Sequence, residues 1–315
     1  MLNEKYYALK EIPKYKLFSF SKMFSILNEP KILKKLIKYK FISTIISSFQ
    51  DYENIYLITS YYEGQSLNFF KEQKLTEKQI KFVSACIIQS LFYLRKKKII
   101  HRDIMMKNII MDKDKYFNII DFSYSIDYFH RNIKKNNMIT YNLVSPPEIL
   151  KNAKYDYNSD YYRLGSIIYY LIFKIYPYTV KKKKNIIDLK INHDYNNYYS
   201  SSFIDFLNKL IISDYKKRIG FNSINELKNH PWFKGFDWIK LEKKELKSPF
   251  HFVKNDFEQS FCTKIKISKN RFLKYKMYSK RKYYKNLIKN FDYVNEIIIK
   301  KIKNSFNIKL IIFYN

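Results

Sequence analysis

The spacing of apolar and polar positions predicts strands and helices in turn along the N-terminal part of the chain, followed by a mainly helical remainder. Strands are predicted at 6–10, 42–49 and 55–60, and helices at 23–39, 67–74 and 77–95. This order predicts an α+β architecture in which a small sheet-rich lobe is joined, near 60–64, to a larger helical lobe that extends to about Trp238.

A cluster of polar residues follows the predicted helix at 77–95. The stretch 108–121 reads as strand, polar turn and strand, so a hairpin would bring Asn108 and Asp121 side by side at its open end. Asp103 lies shortly before Asn108. Phosphoryl transfer needs one carboxylate that accepts the proton of an attacking hydroxyl, and an amide and a second carboxylate that hold Mg²⁺ against nucleotide phosphates. The spacing therefore favours an ATP- and Mg²⁺-dependent phosphoryl-transfer site.

Composition changes the picture mainly through charge. The chain of 315 residues carries a net charge of +32, which favours anionic partners such as acidic proteins, nucleic acid or anionic lipid. The alternative is that lysines have accumulated on solvent-exposed surfaces through compositional bias, without any anionic partner. Only Cys86 and Cys262 are present, too few for a disulfide framework, so a reducing cytoplasmic or nuclear setting is expected. No apolar run is long enough to predict a membrane span.

Ordered motifs resemble those of protein kinases, specifically serine/threonine kinases of the AGC group. His101-Arg102-Asp103 precedes Asn108 and Asp121-Phe122, and Ser145-Pro146-Pro147-Glu148 stands where the family has Ala-Pro-Glu. Asp160 to Gly165 is similar to the Asp-x-Trp-x-Leu-Gly signature, and the stretch 230–250 is similar to the end of an AGC catalytic core. The resemblance implies a two-lobed kinase fold. The segments 64–67 and 177–178 also resemble the YANK-type branch of that group.

The resemblance implies a role for each matching residue. Asp103 would be the catalytic base, with Asn108 and Asp121 as Mg²⁺ ligands. Lys10 would contact the α- and β-phosphates of ATP and pair with Glu29. The remaining residues of the cofactor site would be Ala8, Thr59 as gatekeeper, Ser60 and Tyr62 in the hinge, and Ile110. Glu148 would form a structural ion pair with Arg218, and Asp160 would anchor the catalytic loop.

Some positions depart from the family pattern. None of the four glycines precedes Lys10, so the Gly-rich loop that covers the phosphates is missing: either the sequence starts late or the first strands are lacking. Met105 stands where such kinases carry a lysine that steadies the transferring phosphate, and Ser123 replaces the glycine after Asp121-Phe122. A catalytically competent kinase, with a slow rate, and a pseudokinase that acts as a scaffold therefore both remain open.

Pro30 directly follows Glu29 inside the first predicted helix. Proline is tolerated in the first turn of a helix and is costly further inside. Pro30 is therefore tolerable if Asn28 caps the helix and Pro30 lies in its first turn. In that case Glu29 lies at the helix start, and its pairing with Lys10 is less certain.

Domain boundaries follow from the motifs: an N-lobe at 1–62, a C-lobe at 63–238, an AGC-like extension at 239–262 and a basic tail at 263–315. The tail carries a net charge of +13 and interleaves basic with aromatic residues. We expect it to bind polyanions or acidic lipid surfaces in a salt-sensitive way.

The resemblance implies protein substrates. The residues at three positions near the cleft indicate which charge those substrates carry. Basophilic AGC kinases use acidic side chains where this chain has Ser66, Lys107 and Tyr170. Acidic or neutral substrates are therefore expected. The position of the activating phosphothreonine is occupied by Asn137, with Thr140 nearby, so no dependence on phosphorylation at that site is expected.

Overall fold

The structure is a computed structural model that describes residues 5–17, 20–37, 39–50, 53–130, 145–150, 155–181, 185–188, 198–251, 293–294 and 308–314. The strands are β1 (Lys5–Pro13), β2 (Ile45–Gln50), β3 (Asn54–Ser60), β4 (Ile99–Ile100), β5 (Ile109–Met111), β6 (Phe117–Ile119), β7 (Ile126–Asp127), β8 (Tyr178–Lys181), β9 (Asn185–Asp188), β10 (Tyr293–Val294) and β11 (Ile308–Tyr314). The α-helices are α1 (Phe20–Lys35), α2 (Glu77–Lys96), α3 (Pro147–Leu150), α4 (Tyr157–Phe173), α5 (Ser201–Ile211), α6 (Asn225–Lys228) and α7 (Trp238–Lys243). Among these helices, none is long and apolar enough to cross a membrane.

The chain divides into two compact units, and one division falls between Tyr62 and Glu63. The first unit contains a sheet of five strands in the order β10-β2-β3-β1-β11, together with α1. The second unit runs from Glu63 to Lys254 and also includes Lys40–Ile42. A small sheet-rich unit and a larger, mainly helical one make this an α+β fold of the kind expected.

In the first unit, strand β1 pairs antiparallel with β3, so that Lys10 lies opposite Leu57. Because side chains alternate between the faces of a strand, Ala8, Lys10 and Ile12 share one face. Ile12 on that face packs in a buried cluster with Leu17, Leu27 of α1 and Ile55 of β3. This cluster holds α1 against the sheet face that carries Lys10.

Helix α1 corresponds to the helix predicted at 23–39 and begins three residues earlier. It starts at Phe20 and continues to Lys35, with Pro30 in its interior. The alternative in which Asn28 caps the helix and Pro30 lies in its first turn is therefore wrong. Tertiary contacts outweigh the local penalty of the proline, since the turns on both sides of it bury Leu27, Ile32, Leu33 and Leu36.

The C-terminal region contributes to the same sheet. Strand β11 pairs in parallel with β1 over seven residue pairs, from Lys5 with Ile308 to Glu11 with Tyr314. Strand β10 pairs antiparallel with the opposite edge, at β2. The sequence analysis assigned 263–315 to a basic tail and did not predict these strands.

The second unit is organised around helix α2. Thr76 and Gln79 form a capping box at its start, and its apolar side is almost completely buried. The hairpin of β5 and β6 packs beside it through the ring of Tyr116, which lies 5.2 Å from that of Phe82. Phe250, in the AGC-like extension, packs its ring on Phe70, Phe82 and Phe117. The described part of the extension, 239–251, thus packs against this unit.

Candidate active site

The hairpin that the sequence predicted at 108–121 is present. Ile109 pairs with Ile119 and Met111 with Phe117 in antiparallel register. The N–H of Ile120 donates to the carbonyl oxygen of Asn108 at 2.9 Å, which closes the open end of the hairpin. Asn108 and Asp121 are therefore neighbours at that end.

Asp103 and Asn108 are held together by side-chain hydrogen bonds. The Nδ2 of Asn108 donates to the Oδ2 of Asp103 at 2.9 Å and to the main-chain oxygen of Asp103 at 3.0 Å. Both residues are buried, at 3% exposure. These bonds determine the orientation of the amide and fix the carboxylate of Asp103.

Asp160, near the start of α4, anchors the loop that carries Asp103. Its carboxylate accepts hydrogen bonds from the backbone N–H groups of His101 at 2.8 Å and Arg102 at 2.9 Å. Burial raises the pKa of Asp160 to about 6, although these bonds and nearby guanidinium groups oppose the rise. Arg102 adopts a positive φ of 70°, a conformation uncommon for a residue other than glycine, and the bonds from Asp160 help to hold it.

His101 is a packing residue of the loop. Burial lowers the pKa of His101 to about 4, so the ring is neutral at physiological pH. Its Nδ1 accepts a hydrogen bond from the N–H of Asp103 at 3.2 Å, which requires this neutral form. Its ring also lies edge-on against Phe122 at 4.7 Å, and so links the loop to the residue after Asp121.

The electrostatic surroundings of Asp103 tune its basicity. Burial raises the pKa of Asp103, and the neighbouring charge of Asp121 raises it further. The positive charges of Arg163 and Lys107 oppose this shift. A carboxylate whose pKa lies above its usual value is a stronger base, and so is better suited to accept a proton from a hydroxyl group.

Arg163 is the residue of this site that the sequence analysis missed. It lies in α4, its side chain is completely buried, and its Nη2 donates to the hydroxyl of Tyr155 at 3.3 Å. Its charge lowers the pKa of both Asp103 and Asp160. The available signal was an arginine within the apolar Asp160-to-Gly165 stretch, because arginine is almost never fully buried without a specific reason.

Asp121 and Ser123 form the other side of the site. The hydroxyl of Ser123 donates to the Oδ1 of Asp121 at 2.7 Å, and the N–H of Ser123 donates to the same oxygen at 3.3 Å. Asp121 has a positive φ of 58°. The serine that replaces the family's glycine is thus used to orient this carboxylate.

The donor set fits Mg²⁺. Asn108 uses its Nδ2 for both bonds to Asp103, so its Oδ1 is the atom that can bind a cation. The carboxylate of Asp121 supplies a second hard oxygen ligand, and such oxygen donors are what Mg²⁺ prefers. Asn108 and Asp121 would hold the ion, and their role as its ligands stays a prediction.

The residues of the first unit form their own group. The Nζ of Lys10 lies 2.9 Å from the Oε2 of Glu29, with both side chains largely buried. Ala8 lies opposite Thr59 on the neighbouring strand, on the same face as Lys10. The N–H of Ser60 donates to the carbonyl oxygen of Thr44 at 2.9 Å, and Tyr62 is the last residue of the unit before the division.

The ion pair that the sequence predicted between Glu148 and Arg218 lies in the second unit. Arg218 binds Glu148 through two bonds of 2.7 and 2.9 Å, which confirms the predicted pair.

The other predicted positions of this unit are spread over several elements. Ile110, on β5, is half-buried and forms an isolated β-bridge with Ser66. Lys107 is exposed, and the ring of Tyr170 packs at 4.7 Å against Tyr176. The segment with Asn137 and Thr140 lies outside the described residues.

Comparison with known proteins adds a separate line of evidence. A family model described as the protein kinase domain matches residues 1–233. Cyclic-AMP-dependent protein kinase type 3 of Saccharomyces cerevisiae is 28% identical over 261 residues, which cover 79% of this chain and 63% of that protein. The serine/threonine-protein kinase sgk-1 of Caenorhabditis elegans is 28% identical over 267 residues, which cover 83% of this chain and 58% of the relative. The chain thus spans about three-fifths of the length of these curated relatives.

Proposed function

Because this chain belongs to the AGC group of the protein kinase family, we propose that it transfers the γ-phosphoryl group of ATP to serine and threonine hydroxyls of proteins. The observation that carries the proposal is the buried carboxylate of Asp103, fixed by Asn108 and by the loop that Asp160 anchors. One relative of the chain is named as a cyclic-AMP-dependent protein kinase and the other as a serine/threonine-protein kinase, which supports the same reaction.

Each residue takes a definite part in the proposed reaction. Asp103 accepts the proton of the attacking hydroxyl, and its pKa, raised by burial and held in check by Arg163, favours that transfer. Mg²⁺, held by Asn108 and Asp121, would neutralise charge on the nucleotide phosphates. Lys10, oriented by Glu29, binds the phosphates of ATP.

The experiment is a γ-phosphate transfer assay on purified protein with Mg·ATP. Asp103→Asn removes the proton acceptor but keeps a side chain of the same shape, and Asp121→Ala removes a Mg²⁺ ligand. We expect each change to lower the rate by at least about 10²-fold. Full activity in a folded Asp121→Ala protein would overturn the assignment.

The alternative is a pseudokinase, and Met105 is the residue that favours it. Met105 precedes the short 3-10 helix Met106–Asn108 and brings no positive charge to the transferring phosphate. Lys107 is the nearest cation in sequence; it is exposed, and its charge acts on Asp103. A thermal-shift response to Mg·ATP without any transfer to peptide would identify a nucleotide-binding scaffold instead.

The preferred substrates are acidic or neutral peptides. Ser66 and Tyr170 offer no carboxylate at the positions in question, and the exposed Lys107 repels a basic side chain. A peptide array should therefore favour casein-like sequences over those with paired arginines before the acceptor. A preference for arginine two or three residues before the acceptor would contradict this.

A further inference from the structure

A pocket of about 340 Å³ opens on the second unit, and no residue of the candidate active site lines it. Its walls come from the start of α2, from the turn at 234–237 before α7, and from the extension at 246–249. A volume of this size accommodates one large side chain together with its flanking backbone.

The rim of the pocket carries four lysines, Lys78, Lys81, Lys234 and Lys247. Within the described parts of the chain, the side chains of Lys78, Lys234 and Lys247 have no hydrogen-bonding or ion-pair partner. Lys81 is half-buried and lies over the ring of Trp232 at 5.4 Å. The charge of Lys81 interacts with the carboxylate of Glu77, whereas the other three lysines leave the rim positive.

One carboxylate, that of Asp237, also lines the pocket. It caps helix α7 by accepting from the N–H of Lys240 at 2.9 Å, and it lies 3.6 Å from the Nζ of the same lysine. Because Asp237 already has these partners, it does little to offset the charge of the rim. An anionic ligand would complete the site.

The floor of the pocket is apolar. Phe82 is buried beneath it, and Phe236 packs its ring at 5.7 Å from Phe233 and 5.0 Å from Trp238. Leu246 and Pro249 complete the apolar lining. Inorganic phosphate would contact the rim and leave this floor in water, whereas a ligand with an apolar group would cover it.

Hydrogen bonds hold the walls in place. The hydroxyl of Tyr116 donates to the carbonyl oxygen of Leu246 at 2.6 Å, and the Nε2 of Gln79 donates to that of Pro249 at 3.4 Å. Ser248 donates to the carbonyl oxygen of Lys115 at 2.9 Å. A pocket formed in advance loses less conformational entropy when it binds a ligand.

We infer that this pocket is a docking site for a short acidic peptide segment of a partner protein, with one large apolar side chain of the segment on the floor and its carboxylates at the lysine rim. The concave shape and apolar floor favour a peptide over duplex nucleic acid or a membrane surface, both of which would meet the lysines but not the floor. The inference does not depend on phosphoryl transfer.

The test measures fluorescence anisotropy of a labelled peptide Glu-Glu-Phe-Glu-Glu, which has no acceptor hydroxyl, with the full chain and no ATP. The pocket variant Lys78→Glu with Lys234→Glu should weaken binding by about tenfold or more. The matched control, Lys216→Glu with Lys217→Glu, changes the net charge equally at exposed lysines of the same unit, and should weaken binding by less than about twofold. Equal weakening by both variants, or no effect of the pocket variant, would overturn the inference.

Changes in the peptide test the chemistry of the ligand without any risk to the fold. Replacing its phenylalanine with alanine, or its glutamates with glutamines, should each weaken binding. If the alanine peptide binds equally well, or tripolyphosphate competes as effectively as unlabelled peptide, the site is a general anion surface and the inference fails. If the glutamine peptide binds equally well, the lysine rim has no part in recognition, and the inference fails likewise.

Discussion

Loss of the buried Glu148–Arg218 ion pair should destabilise the second unit severely. The side chains of Arg218 and Glu148 are 0% and 6% exposed, so neither charge can be solvated by water if its partner is removed. Arg218 also donates to the carbonyl oxygens of Asn158 at 2.8 Å and Ile212 at 2.9 Å. Replacing it by methionine keeps much of the volume, but it leaves two carbonyl oxygens without this donor and the Glu148 carboxylate without its countercharge, with the hydroxyl of Ser159 still donating to it at 3.2 Å.

The expected loss in the free energy of unfolding is about 3–5 kcal/mol, the range for breaking a buried pair by removing one partner. For a unit of this size, 1 kcal/mol corresponds to about 2–4 °C in Tm, so Arg218→Met should lower Tm by about 6–20 °C. An exposed pair would contribute only about 0–1 kcal/mol.

The assay is urea unfolding followed by tryptophan fluorescence. Both tryptophans of the chain, Trp232 and Trp238, lie in the second unit, so the signal reports on that unit alone. Lys216→Met, at an exposed position nearby, is the control and should change stability by less than about 0.5 kcal/mol. Glu148→Gln combined with Arg218→Met should be less destabilised than the sum of the single changes, since no buried charge remains. A loss of less than 1 kcal/mol in Arg218→Met would refute the reasoning.

Other predictions concern activity and partners. Arg163→Met removes a positive charge that lowers the pKa of Asp103, so the acid limb of the pH–rate profile should move to higher pH; an unchanged profile would argue against this role. Changing the basic residues of 271–285 to glutamine should lower the salt concentration that elutes the protein from heparin; unaltered elution would exclude this segment as the polyanion contact. Because Asn137 replaces the usual phosphothreonine, phosphatase treatment should leave activity intact, and mass spectrometry that finds a required loop phosphate would contradict this.

Much of the fold and the core of the candidate site were predictable because they depend on local sequence. The hairpin from Asn108 to Asp121 places its ends together through pairing of nearby residues, and the observed register agrees. The capped, amphipathic helix from Glu77 was equally plain from its pattern. The pairing of Glu148 with Arg218 joins residues that are far apart in the chain. The order of the family motifs identified it, whereas a spacing pattern alone would not have done so.

Local rules failed where distant contacts decide the outcome. By local rules Pro30 is tolerated only in the first turn of a helix, yet burial of α1 on the sheet keeps the proline inside a longer helix. In that helix Glu29 lies beside Lys10. The pairing of β11 with β1 joins residues about three hundred positions apart, and no periodicity near either strand specifies it.

The sequence by itself determined which chemical groups this protein has and the short-range elements that carry them: Asp103, Asn108 and Asp121 on a loop and hairpin. Only the tertiary structure decided their electrostatic setting, since the pKa of Asp103 depends on burial and on Arg163, sixty residues further along the chain. It also assembled a lysine-rimmed pocket from three separated segments. The physical reason is that hydrogen bonds within a hairpin or helix join near neighbours, whereas desolvation and charge–charge interactions depend on every atom that packing brings close, whatever its position in the chain.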